Sequence, residues 1–92
     1  MTVRAEARDG AEGDFEYLLM DLAGSVGSDE PGCISYVVTR QMGSDRHFAV
    51  HARFVDWRAF RRHAVTPHFN RMLPRLTELM AAPVSMEIFL EV

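Results

Sequence analysis

The chain has no lysine and one cysteine, Cys33, among its 92 residues. Schiff-base catalysis, pyridoxal phosphate attachment and the Walker phosphate loop all require an ε-amine, so those chemistries are excluded. A single thiol excludes an internal disulfide, a CxxC redox pair and a thiolate zinc site. Cys33 itself lies between Gly32 and Ile34 at the start of an apolar run, where a free cysteine behaves as a small hydrophobe rather than a nucleophile. No basic segment followed by an apolar stretch opens the sequence, and no run approaches the ~18 apolar residues of a membrane span. A soluble, cytoplasmic protein with no membrane partner is expected.

What is present is arginine, ten in all, and it is unevenly distributed. Residues 1–32 carry eight acids against Arg4 and Arg8, whereas the remainder carries eight arginines against five acids, with a cluster at Arg53, Arg58, Arg61 and Arg62. Trp57 and Phe60 interleave with that cluster, but the net charge of −3 and its shortness favour a solvated helix face over a nucleic-acid surface. The length fits one domain over 1–92. A chain of this size buries only about two thirds of its unfolded surface, so association is expected to supply further core.

Residues 2–8 alternate, with Val3, Ala5 and Ala7 on one face, and read as a strand. After Asp9-Gly10, the spacing of Phe15, Leu18, Leu19, Leu22, Ala23 and Val26 predicts an amphipathic helix over 11–26. Residues 25–32, SVGSDEPG, are dense in breakers and predict a loop. Two β-branched runs, 33–41 and 46–55, flank a turn at 42–45 and predict an antiparallel hairpin. Asp56 can cap a helix carrying Trp57, Phe60 and Ala64; Thr66-Pro67 caps a second, 67–81, with the stripe Phe69, Leu73, Leu76 and Met80 and a kink at Pro74. Residues 84–92 close the pattern as a strand.

This order, β-α-β-β-α-β, predicts a ferredoxin-like α+β fold with an antiparallel sheet. Alternation in the hairpin places Ile34, Tyr36 and Val38 on one face and Cys33 and Val37 on the other, and the last strand carries a full stripe from Val84 to Val92. A sheet apolar on both faces needs a second cover, so a homodimer is expected.

The block Glu30-Pro31-Gly32-Cys33-Ile34-Ser35-Tyr36, followed by Ala59-Phe60-Arg61-Arg62-His63 and Thr66-Pro67-His68-Phe69, resembles the antibiotic biosynthesis monooxygenase family. The resemblance spans nearly the whole chain, including Asp9-Gly10 and Phe15. It implies a dimeric α/β barrel with one pocket per subunit between helices and sheet, and mostly cofactor-independent oxidation of polycyclic aromatic phenols or quinols. Two positions depart from the family: Phe54 stands where many members carry tryptophan, and Ala52 where they carry glutamate. The haem-degrading branch has asparagine, tryptophan and a histidine ligand at positions matching Val3, His63 and Leu73; without an imidazole at Leu73, haem ligation in that manner is disfavoured.

Oxidation without flavin, haem or metal requires the substrate to reduce oxygen after losing a proton, so the protein must supply a base, a dry pocket and donors for the anion. Histidine suits the first task, and there are four. His47 and His51 lie on the strand face opposite Phe48, Val50, Ala52 and Phe54, about 13 Å apart at ~3.3 Å per residue, too far to share a metal. His63 and His68 are separated by the Thr66-Pro67 break with no acid at a matching position, so no metal site is expected.

The candidate catalytic residues are therefore His63 or His68 as base, with Tyr36 as donor. Val3, Val50, Phe54, Phe60, Phe69 and Leu73 are the expected substrate-binding wall. Trp57 and the six methionines read as packing. Two functions remain open: a cofactor-independent monooxygenase acting with O2 on a hydrophobic, polyketide-like phenol or quinol, or a catalytically silent dimer of the same fold that binds an apolar metabolite.

Overall fold

A computed structural model describes residues 1–92. The elements are β1 (Thr2–Glu6), α1 (Glu12–Asp29), β2 (Cys33–Arg40), β3 (His47–Phe54), α2 (Trp57–His63), α3 (Pro67–Leu79) and β4 (Ser85–Glu87). All pairings in the sheet are antiparallel, in the order β2-β3-β1-β4. This is the ferredoxin-like arrangement expected from the element order, with the second helical region divided at Thr66.

The core forms where the periodic residues of α1 meet β1, β3 and α3. Phe15, Leu19, Leu22 and Val26 are buried against Ala7, Phe48, Val50, Leu76 and Leu79. Contrary to the loop expected over 25–32, α1 continues to Asp29. Gly24 and Gly27 each cost the helix about 1 kcal/mol relative to alanine. Complete burial of Val26 contributes about 1.5–3 kcal/mol, enough to hold the last turns. The α3 stripe is broader than expected: Phe69, Leu76 and Met80 pack on the core as predicted, His68 and Leu79 are buried as well, and Leu73 is exposed. The helix runs through Pro74, which lies on its solvent side.

Both helix caps form as the sequence predicts. The Asp56 carboxylate accepts from the Ala59 N–H at 2.8 Å, and the Thr66 hydroxyl accepts from the Phe69 N–H at 3.4 Å. Pro67 then opens α3, where its missing N–H costs nothing. The hairpin turns at Gly43, whose φ of 81° suits a residue without a side chain.

Two strand assignments are corrected. A register shift between Cys33 and Ser35 turns Cys33 toward the helices with Tyr36 and Val38, and leaves Ile34 exposed. The other sheet face is consequently more polar than alternation implied. Arg4 pairs there with Glu87, and the rings of His51 and His47 bond to Thr39 and Ser44.

The last strand ends at Glu87 because its partner does: Thr2 pairs with Glu87, and Met1 turns its amino group onto the Ala52 carbonyl at 3.0 Å. Ile88, Phe89 and Leu90 run beyond the sheet, 48, 66 and 83% exposed. At the other end β1 yields to the segment after α3. Ala7 bridges Met80, and the Arg8 N–H donates to the Leu79 carbonyl at 2.7 Å.

Gly32 sets the approach of α2. A methyl group there would stand 2.6 Å from the Ala59 Cβ, against a helix whose start is fixed by the Asp56 cap. Gly32→Ala is expected to cost about 1–3 kcal/mol by overpacking, read as a lower midpoint in urea unfolding. An unchanged midpoint would mean that α2 moves aside freely.

Candidate functional site

A cavity of about 170 Å³ lies between the sheet and the helices. Val3, Tyr36, Val50, Phe60, His63, Phe69 and Leu73 line it, together with core residues such as Phe15, Leu19 and Met86. Its surface is apolar except at His63 and the Tyr36 phenol. Seven of the nine residues expected at the site are therefore brought together. Phe54 is not in this wall; it packs beside the cavity, its ring 5.7 Å from both the His63 and Phe60 rings. His68 does not reach the cavity either. His68 is buried behind His63, its Nε2 bonded to Glu30.

What joins the two histidines is Glu30, one of the eight acids of residues 1–32. Its backbone N–H closes α1 on the Val26 carbonyl at 3.1 Å, and Pro31-Gly32 then turns the chain into β2. Its side chain is consequently carried inward, only 8% exposed. The carboxylate accepts from His63 Nδ1 at 3.0 and 3.1 Å and from His68 Nε2 at 2.5 Å. The expectation that no acid matches the two histidines is thereby overturned: the Thr66 break folds α3 back so that both rings converge on one carboxylate. The signal was present in the Glu30-Pro31-Gly32 block, where a helix-terminating pair fixes the direction of the acid before it.

The geometry sets the protonation pattern of His63. A ring that donates from Nδ1 to Glu30 leaves Nε2 as the nitrogen free to accept. Nε2 makes no hydrogen bond within the protein, and the ring lines the cavity, packed 4.9 Å from the Phe69 ring and 5.4 Å from that of Tyr36. An imidazole base oriented by a buried carboxylate at an apolar wall is equipped for proton abstraction.

Glu30, His63 and His68 are also the only set of side chains able to approach a metal together, their donor atoms lying within 4.8 Å of one another. Two imidazoles and a carboxylate suit zinc or non-haem iron. Ligands on a tetrahedral zinc, however, stand about 3.3 Å apart given metal–ligand bonds of ~2.0–2.1 Å. The 2.5 Å contact from His68 is a closed hydrogen bond, and the side chains would have to separate to admit an ion.

Burial pushes the Tyr36 phenol well above the ordinary tyrosine range, and the Glu30 charge pushes it further. It therefore remains a hydrogen-bond donor. Burial and the same carboxylate also raise the Cys33 thiol, against a smaller opposing effect from its bond to the Ser35 carbonyl, which suits packing rather than nucleophilic attack.

The Tyr36 shift has a measurable sign. The folded state favours the neutral phenol, so its contribution is complete below the ordinary tyrosine value of about 10 and is lost as pH rises above it. In a Tyr17→Phe background, tyrosinate absorbance is expected to appear only with alkaline unfolding. Smooth titration of a folded chain would refute the burial of Tyr36.

The antibiotic biosynthesis monooxygenase family model matches residues 1–75. No curated protein matches the chain. Among solved structures, a candidate antibiotic biosynthesis monooxygenase of Caulobacter crescentus is 24% identical with a TM-score of 0.89, the match covering 94% of this chain and 81% of that one. A variant of SnoaB, a cofactor-independent oxygenase of Streptomyces nogalater, is 22% identical with a TM-score of 0.81, over 99% and 91% of the two chains. A conserved protein of Methanosarcina mazei is 19% identical with a TM-score of 0.84, over 91% and 82%. At these identities the likeness shows a shared fold. No helix of the chain is long and apolar enough to cross a membrane.

Proposed function

Since the chain belongs to the antibiotic biosynthesis monooxygenase family, we propose that it oxidises a small phenol or quinol with O2 in the apolar cavity, without a cofactor. One observation carries this reading: the only base on the cavity wall is His63, and its remote nitrogen is held by a buried carboxylate. His63 Nε2 takes the phenolic proton, the electron-rich anion transfers an electron to O2, and the resulting radicals combine as a ring peroxide, which takes the proton back from His63 to become the hydroperoxide. Loss of water from the hydroperoxide leaves a quinone. Phenol and O2 thus become quinone and water, with all four electrons that reduce O2 supplied by the substrate. The apolar wall excludes water from the reactive anion, and Tyr36 donates to its oxygen.

Volume limits the substrate. A cavity near 150 Å³ accommodates a single benzene ring, so about 170 Å³ favours a one- or two-ring phenol over the polycyclic substrates that the family resemblance implies. The test is oxygen uptake by purified protein with a panel of hydroquinones, naphthols and anthrone-like phenols, with chelator present and no cofactor added. Substrate-dependent uptake is expected. Binding without uptake across the panel would establish the second reading, a silent module for an apolar metabolite, favoured by a wall whose polar groups are only His63 and Tyr36.

The same reading includes a homodimer. Ile34, Val37, Ile88, Phe89 and Leu90 are exposed on the sheet and beyond its last strand, surface that a second copy would cover. Light scattering at micromolar concentration should give twice the 10.4 kDa chain mass. Phe89→Asp together with Leu90→Asp should shift the protein toward monomer. A monomeric wild type would refute the dimer.

A further inference from the structure

His68 has no place in the oxidation as written, yet its side chain is buried, 5% exposed, with Nε2 bonded to Glu30. Its other nitrogen, Nδ1, faces the Asp29 carboxylate at 4.0 Å. A ring with one nitrogen in a cluster of ligand atoms and the other turned to an outer carboxylate is placed as metal-ligating histidines are. Orienting His63 requires the Glu30 carboxylate alone.

We infer that Glu30, His63 and His68 bind a divalent ion of the zinc class through one carboxylate oxygen, His63 Nδ1 and His68 Nε2. The ion takes the place of the hydrogen bonds that now join the three side chains. Ligating atoms must be unprotonated, so an entering ion displaces whatever protons they hold.

The distances ask for a small rearrangement. The contacts of 3.0 and 3.1 Å between His63 and Glu30 are already close to the ~3.3 Å between ligands on tetrahedral zinc, and the 2.5 Å contact of His68 has to open by less than ~1 Å. Each ligand stands at the end of its element: Glu30 caps α1, His63 ends α2 and His68 is the second residue of α3. Room lies beside them, in a cleft of about 130 Å³ whose walls include Glu30, Cys33 and Thr66 and whose rim carries the exposed Asp29 and Arg62. The cleft gives the ion a way in and leaves a fourth position for water. Glu30 and Asp29 together match the two positive charges of the ion, and Arg62 is the one cation on the cleft.

A consequence for catalysis rests on the reading of His63 as the base. With Nδ1 on the ion, the single proton of a neutral imidazole sits on Nε2, the nitrogen left for the cavity. Zinc should therefore stop oxygen uptake without competing with the phenol, and chelator should restore it.

The experiment is titration of chelator-stripped protein with cobalt(II), whose visible bands are intense when the ion is four-coordinate, followed by displacement with zinc. One ion per chain is expected. His68→Gln, which keeps an amide donor toward Glu30, should weaken binding by more than about 100-fold, beyond the loss typical of an outer-shell change. The sheet-face double variant His47→Gln, His51→Gln should bind as wild type does. In nitrogen-15 NMR of the zinc form, the ligated signals should belong to His63 and His68, with His47 and His51 unchanged.

Binding that is lost in the sheet-face variant and kept in His68→Gln would put the ion on the sheet and overturn the site. So would the absence of cobalt bands at a large excess of metal. Ligation by both rings with oxygen uptake intact would leave the metal site standing and remove His63 as the base. If no phenol supports uptake in the first place, the cobalt titration and the NMR still decide the site, and the wild-type NMR decides it even if His68→Gln does not fold.

Discussion

Glu30→Ala is expected to destabilise the protein by about 3–5 kcal/mol, the usual result of removing one partner from a buried ionic cluster. The carboxylate serves two buried imidazoles, of which His63 is otherwise packed among Tyr36, Phe54 and Phe69. Without it, two N–H donors lose their only acceptor in a place where water does not readily enter. At about 4–8 °C per kcal/mol for a domain of this size, the melting temperature should fall by more than ~12 °C. Glu30→Gln keeps an acceptor and nearly the same shape, and should cost visibly less. Thermal unfolding of the two variants checks the ranking. A loss below ~1 kcal/mol for the alanine variant would place Glu30 among ordinary surface ion pairs and contradict its burial.

His63→Ala should lower substrate-dependent oxygen uptake by about 10²-fold or more, the range typical of a removed general base. The missing ring leaves a hole continuous with the cavity, so added imidazole should restore part of the rate. His63→Gln supplies an amide donor to Glu30 but no base, and should be equally slow while melting closer to wild type. These two variants separate chemistry from folding. Full activity in both would remove His63 from the mechanism and leave Tyr36 as the polar group at the wall.

Much of this molecule is legible in its sequence, for reasons that differ between regions. Val3, Ala5 and Ala7 alternate, and Phe15, Leu19, Leu22 and Val26 recur at helical spacing, because each set is buried along one face by one neighbour. Asp56 and Thr66 bond to backbone only three residues away, so their capping roles can be read locally. The extension of α1 over Gly24 and Gly27 cannot be read that way. It depends on the fit of Val26 into a core assembled from distant strands. The shortened last strand likewise depends on where β1 begins.

The candidate site divides along the same line. His63, Tyr36 and the apolar wall follow from a family resemblance joined to periodicity. Glu30 belongs to the resembling block, but its neighbours in sequence are acids on a solvated helix, and composition alone assigns it to them. Its pairing with His63 and His68 spans 33 and 38 residues, a separation no local pattern reports.

The absence of lysine and of a second cysteine by itself determined which chemistries this protein cannot perform, because a reaction that needs an ε-amine or two thiols needs them in any fold. Periodicity by itself determined the order of the elements, because burial along one face of a helix or strand leaves a repeat in the sequence. Only the tertiary structure decided that the two histidines differ, one on the cavity and one behind it. That difference arises where Pro31-Gly32 turns the chain, Gly32 admits α2, and the Thr66 break folds α3 back onto the same carboxylate. Each of these is a contact between elements, and only in three dimensions does the acid at the end of the first helix become the partner of both rings.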